Sequence, residues 1–177
     1  MERLILKKLL DWKNSPYRKP LILKGVRQVG KTWVLKEFGR RYYENTAYFN
    51  FDENEEYKQF FETTKDVDRI MQNLMLASGQ KIVPEKTLII FDEVQEFPRA
   101  RGAIKYLVAD GRYDYIETGS LMSIKKNGQD ALIPSEEHHV NLYPMDFEEF
   151  LWALGDDMLM PFIKERFEKK QPLGPAL

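Results

Sequence analysis

At 177 residues the chain is long enough for one domain with its own core, and 43% hydrophobic with 31% charged residues is the balance of a soluble globular protein. Its 27 lysines and arginines meet 28 aspartates and glutamates for a net charge of -1, so no overall basic field marks a nucleic-acid binder. The lack of cysteine excludes a disulfide framework and thiolate-held zinc and fits a reducing, cytoplasmic setting, and the longest apolar runs, such as Leu88 to Phe91, are only a few residues, too short for a bilayer span.

In chain order, "MERLILKKLLDW" places Leu6, Leu9, Leu10 and Trp12 at helical spacing. This predicts a short amphipathic helix packed on the core; Glu2 and Asp11 dilute the positive charge that a signal peptide or membrane-surface helix needs. Pro20 to Gly25 reads as a buried strand, and Lys31 to Tyr43 as a helix with Val34, Leu35 and Phe38 on one face. Thr46 to Asp52 is β-branched and aromatic, hence a strand, and Asp52 with Glu55 forms a cap signal for the helix that follows. That helix, within "FDENEEYKQFFE", is acidic and aromatic, with a face that is solvated or meets a partner. A further helix covers Val67 to Ala77 and stops at Gly79. Lys86 to Glu93 is the most strand-like run; Pro98 opens a helix that ends at Asp110-Gly111. Tyr113 to Ser120 and His138 to Met145 are the fourth and fifth strands. Asp146 and Glu149 make a capping box, flanked by Met145 and Phe150 at staple positions, and the helix so begun closes at Gly155. A last helix spans Met158 to Lys170.

Strands alternating with helices predict an α/β fold, a mostly parallel five-stranded sheet sandwiched by helices. Residues 1–171 form one domain in this reading, with 1–19 as helix and lead-in and 146–171 as C-terminal helices. Residues 172–177 read as a linker-like tail at which a longer chain is cut. Ligands of such sheets bind beyond the carboxyl ends of the strands, here just after Leu23, Phe91 and Ile116.

One of those ends carries the strongest motif. Gly25-Val26-Arg27-Gln28-Val29-Gly30-Lys31-Thr32 fits the phosphate-loop pattern G-x-x-x-x-G-K-S/T. The glycines let backbone N–H groups curl round a phosphate, and the start of the following helix favours an anion. Lys31 supplies a positive charge for the β and γ phosphates of ATP, and the Thr32 hydroxyl a ligand for Mg²⁺. The nucleotide-binding stretch is therefore Gly25, Val26, Arg27, Gln28, Val29, Gly30, Lys31, Thr32 and Trp33; Arg27 either touches phosphate or points outward.

A second end carries two acids. "LIIFDE" leaves Asp92 and Glu93 where a buried strand exits the core, and a carboxylate there needs a partner. Mg²⁺ held jointly with Thr32 provides one for Asp92. Adjacent strand residues face opposite ways, so Glu93 has a separate task, polarising an attacking water.

Taken together, "LILKGVRQVGKT", "LIIFDEVQ", "IETGS" and "YPMDFEEFL" resemble, in this order, a widespread prokaryotic family of predicted AAA-type ATPases, in which a P-loop domain precedes a C-terminal domain of poorly known role. The resemblance implies sheet order 5-1-4-3-2, ATP and Mg²⁺ as cofactors, and an attached C-terminal domain as partner. It also implies a polar γ-phosphate sensor at the end of the fourth strand. Ser120 is the first candidate and Thr118 the second, unless both only shape a turn. The family's Gly-Arg before the fifth strand is replaced by "IPSEEHHV", so no arginine finger follows from the pattern; Arg99, Arg101 and Arg112 lie near that side, and each fits a solvated surface charge.

Two alternatives stand beside an ATP hydrolase: a nucleotide-gated interaction switch that turns over slowly or not at all, and a small-molecule kinase, which the Asp92-Glu93 pair disfavours. A homo-oligomer is compatible with either, and a membrane partner with neither. His138 and His139 lack a third ligand at zinc spacing, the Phe147, Phe150 and Trp152 cluster reads as core plus surface, and Lys125-Lys126 beside Asn127-Gly128 as a loop tip.

Overall fold

The computed structural model describes residues 2–94, 102, 106–120 and 137–174. The chain begins with α1 (Leu4–Asn14), then β1 (Leu21–Gly25), α2 (Lys31–Tyr42), β2 (Asn45–Asn50), α3 (Glu55–Thr63), α4 (Val67–Ser78) and β3 (Thr87–Asp92). After a helical stretch at 106–110 come β4 (Asp114–Ser120), β5 (His138–Asn141), α5 (Phe147–Ala153) and α6 (Leu159–Glu168). The expected helix from Pro98 is described only over that last stretch; Arg99, Arg101 and Lys125 to Gly128 lie outside the described residues.

All four strand pairings are parallel and the sheet order is β2-β3-β4-β1-β5, the expected 5-1-4-3-2 read from the other side. A parallel strand cannot return by a hairpin, so each crossover leaves helices on the faces and both faces are buried. Alternation along the strands then sorts the core into two. Leu21, Leu23, Leu88, Ile90 and Ile116 pack against Ile5, Leu6 and Leu9 of α1 and Val34, Leu35 and Phe38 of α2. Ala47, Phe49, Ile89, Phe91 and Tyr115 face the other way, onto Phe61 of α3 and Ile70, Met71 and Leu74 of α4. Phe91 is the hub of that second core, with ring centroids of Phe49, Phe51, Phe61 and Tyr115 at 6.1, 5.9, 5.8 and 6.0 Å.

Every strand therefore ends at one edge of the sheet, and that edge carries the loop and both acids. The opposite edge is tied by a polar knot: Arg18 forms a bidentate pair with Asp114 at the start of β4, and Tyr43 Oη donates to the same carboxylate at 2.7 Å. The outer side of β2 is covered at its middle by a side chain. Gln80 accepts from Tyr48 N at 2.8 Å and donates to Tyr48 O at 2.9 Å, imitating a neighbouring strand.

Some local expectations are corrected. Asn54, not Asp52, caps α3, with Oδ1 accepting from Glu56 N at 2.9 Å; Asp52 instead gives its amide to Asn50 Oδ1 in a tight turn after β2. β5 stops at Asn141 rather than Met145. Leu142 N makes the last rung on Lys24 O, the Tyr143 carbonyl is taken by Arg3, and Pro144 has no N–H to continue. The capping box of α5 is present, but Met145 and Phe150 are both half exposed, so the approach of the chain is fixed by Glu149 instead. Its Oε1 accepts from Arg3 Nε at 3.0 Å and from the Leu4 amide at 2.8 Å. Asp66 caps α4 and Gly79, at φ 68°, ends it.

Packing of α2 on β2 leaves no room at Gly39. A Cβ there would fall well inside contact distance of Thr46 Oγ1, whose β-branched side chain sits on a strand and cannot retreat. Helix propensity alone makes Gly→Ala stabilising by about 1 kcal/mol. Gly39→Ala is expected to reverse that sign, destabilising by about 1–3 kcal/mol through overpacking. Urea unfolding measures it; an unchanged or raised midpoint contradicts the packing.

Candidate functional site

The loop between β1 and α2 has the two glycines it needs, for different reasons. At Gly25 the obstacle is space: a Cβ would stand 2.8 Å from the Leu142 carbonyl and 2.9 Å from Val29 Cγ1. At Gly30, the N-cap of α2, it is conformation, with φ at 96°. Gln28 is also left-handed, at φ 63°, which curls the loop. Gly30 offers no capping side chain, so the first-turn amides of the twelve-residue α2 face the loop with the positive end of the helix dipole behind them. Lys31, 7% exposed, lies across the loop with Nζ donating to the Gly25 and Val26 carbonyls at 3.1 Å each. An anion placed in the loop would draw the ammonium off those carbonyls at little cost, because it would exchange neutral acceptors for a charged one.

Asp92 closes the other side. It is the last residue of β3, 4% exposed, and faces α2. Its Oδ2 accepts from Thr32 Oγ1 at 3.0 Å and from Tyr48 Oη at 2.6 Å. Its Oδ1 accepts from Thr118 Oγ1 and from the Glu93 amide at 3.0 Å. Three hydroxyls, from α2, β2 and β4, thus converge on one carboxylate. Burial first, and then the bond to Asp92, push the Tyr48 phenol well above the usual tyrosine range.

Asp92 and Thr32 fit a magnesium site. Both give hard oxygen donors, one from the first turn of α2 and one from the end of β3. Mg²⁺ is suited by such a sparse set, because it takes one or two protein oxygens and completes its shell with phosphate and water.

Glu93 does not extend the strand. Its φ is 56°, so the chain turns sharply straight after Asp92, and strand alternation does not set its direction. At the end of β4, Ser120 lies beside Gly25 in register; its side chain is outside the described residues. Thr118, fully buried, gives its hydroxyl to Asp92. Arg112 sits before β4 at the far edge of the sheet, paired with Asp68 and Asp110 at 2.7 Å each, away from the loop. His139 meets Lys24 and Glu137.

Beside the loop lies a pocket of about 420 Å³, walled by Val26, Arg27, Gln28, Val29, Gly30, Trp33, Pro144 and Met145, with Arg3 at its side. The expected stretch Val26 to Gly30 and Trp33 are thereby brought together. Two residues escaped sequence reasoning. Tyr48 looked like any strand aromatic, although its place on the α2 face of β2 puts its tip toward Asp92. Arg3 belongs to no sequence motif, yet it is 4% exposed and its Nη1 would be 3.8 Å from a Cβ at Gly30.

Residues 17–151, more than half of the chain, match the AAA domain family. An uncharacterized protein of Haemophilus influenzae is 26% identical over 176 residues, a stretch that makes up 96% of this chain and 42% of the relative; the chain thus spans under half of that relative's length. Among solved structures, the Aeropyrum pernix ORC1 protein in complex with DNA superposes with a TM-score of 0.49 at 16% identity, covering 85% of this chain and 47% of that one. PCH-2 of C. elegans superposes at 0.45 and 14% identity, covering 93% and 46%. Loop, buried aspartate, parallel sheet order and sequence match converge: the chain belongs to the AAA domain family, whose domains are nucleotide-binding ATPase domains.

Proposed function

We propose that the chain binds MgATP between the Gly25–Thr32 loop and Asp92 and hydrolyses its γ-phosphate. The observation that carries this is the 3.0 Å bond between Thr32 and a buried Asp92, directly behind a loop in which Gly25 has no room for a Cβ and Gly30 is left-handed. Phosphates occupy the loop amides and Lys31, and the nucleoside lies toward the pocket of Trp33, Met145 and Arg3. Thr32 and Asp92 hold Mg²⁺, which when bound neutralises charge on the phosphate oxygens.

Glu93 is the base. It takes a proton from water as the water oxygen bonds to the γ-phosphorus and the bond to the β-phosphate oxygen breaks. Ser120 senses the γ-phosphate from the end of β4. Glu93→Gln is expected to retain ATP affinity within about twofold and to lose about 10²–10⁴ in turnover. Equilibrium dialysis and phosphate release measure the two; parent-like turnover removes Glu93 from this role. Lys31→Ala is expected to weaken ATP binding by about tenfold or more while leaving thermal unfolding within a few degrees, since the ammonium supports only two loop carbonyls. Unchanged affinity would sink the phosphate assignment.

A second reading, a nucleotide-gated switch acting on a further domain in a longer protein, is favoured by the Arg3–Glu149 bond. It ties a residue beside Gly30 to the cap of α5, so loop and C-terminal helices share a fixed point. Turnover in that case resets a posture rather than driving continuous work. Assembly of several copies and a cytoplasmic location, the latter in keeping with the absence of cysteine, belong to the same proposal.

A further inference from the structure

The hydrogen bonds at Asp92 raise a question of capacity. A carboxylate offers about four lone-pair directions. Thr32, Tyr48, Thr118 and the Glu93 amide fill four. A divalent cation needs one of them, whether it meets the oxygen directly or through a bound water. One donor has to leave.

The four are not equally free to go. The Glu93 amide belongs to the backbone immediately after β3. Thr118 is fully buried at the centre of the sheet and has no solvent to turn to. Thr32 sits in the first turn of α2, where its oxygen can meet the cation while its hydrogen stays on Asp92. Tyr48 is different. It is partly exposed rather than fully buried, and it reaches the carboxylate at the end of a long side chain. Its backbone is clamped by Gln80, and its ring lies under the Lys36 ammonium at 4.2 Å. The hydroxyl can therefore turn to water while the residue stays seated.

We propose that Tyr48 competes with the divalent cation for Asp92, and that its hydroxyl leaves Oδ2 as the cation loads. The inference rests on the reading of Asp92 and Thr32 as the metal end of the site. In that role Tyr48 keeps the buried carboxylate satisfied between turnovers and sets how tightly the cation is held. Removing the hydroxyl removes the competitor, so the variant gains metal affinity, the opposite of what loss of a supporting hydrogen bond would do.

The test measures metal binding itself. Mn²⁺ is titrated into the full chain saturated with ADP and followed by electron paramagnetic resonance, for the parent, Tyr48→Phe and Asp92→Asn. Tyr48→Phe is expected to bind Mn²⁺ about three- to tenfold more tightly and ADP without metal equally well, while Asp92→Asn binds Mn²⁺ more weakly. Equal or weaker Mn²⁺ binding by Tyr48→Phe, with Asp92→Asn impaired, overturns the competition and leaves the metal reading standing. Parent-like Mn²⁺ binding by Asp92→Asn overturns both. A measurement on the parent protects against a variant that fails to fold. With ¹³C-labelled tyrosine, one Cζ resonance shifts when Mg²⁺ is added to the ADP-loaded chain, and the absence of any such shift overturns the proposal.

Discussion

The carboxylate of Asp92 stands where a strand of six buried residues leaves the core, and a charge in that position is tolerated only if it is fully hydrogen-bonded. Much of the site follows from that constraint. Its partners arrive from α2, from β2 and from β4, so the carboxylate gathers elements distant in sequence around one point. A parallel sheet makes the gathering possible. With all strands running one way, β1, β2, β3 and β4 deliver their last residues to the same edge, and the helix dipole of α2 points at it.

The two cores have separate jobs around this point. The α1–α2 face is aliphatic on the sheet side, with Leu23, Ile90 and Ile116 one step behind Gly25, Asp92 and Thr118. Close packing there fixes the height at which the loop and the acid emerge. The other face is aromatic and centred on Phe91, the residue before Asp92. Neighbouring residues of β3 thus anchor a hydrophobic hub and present a charge, on opposite sides of one strand. Rigidity on the Phe91 side holds Asp92 still.

Much of this was legible in the sequence because it is local or periodic. The Gly25–Thr32 spacing, the apolar run into Asp92 and the alternation of strands with helices each depend on near neighbours, and the sheet order followed from resemblance of motifs. What could not be read is non-local. Nothing near Tyr48 says that its hydroxyl meets a residue 44 positions on, nor does anything near Arg3 announce a partner 146 positions away. The misplaced end of β5 has the same origin. "HHVNLYPM" is strand-like throughout, but its partner β1 runs out at Gly25, and a strand lasts only as long as its neighbour. At Glu93 the alternation rule was applied one residue too far, past a left-handed turn that no residue type announced.

The Arg3–Glu149 pair shows what a buried charge contributes beyond Asp92. Its side chains are 4% and 7% exposed, and taking two charges out of water returns little net stability. Geometry is what the pair supplies. Glu149 accepts from Arg3 and Leu4 at the start of α1 while its Oε2 and amide complete the cap of α5, and Arg3 reaches the Tyr143 carbonyl between them. Both buried side chains are bonded from two directions, so sliding either helix by a turn would break several of these bonds at once. The beginning of the chain and the helix that follows the sheet are thereby locked in one register beside Gly30. A ligand that pulls on Arg3 there must either respect that register or move both helices together.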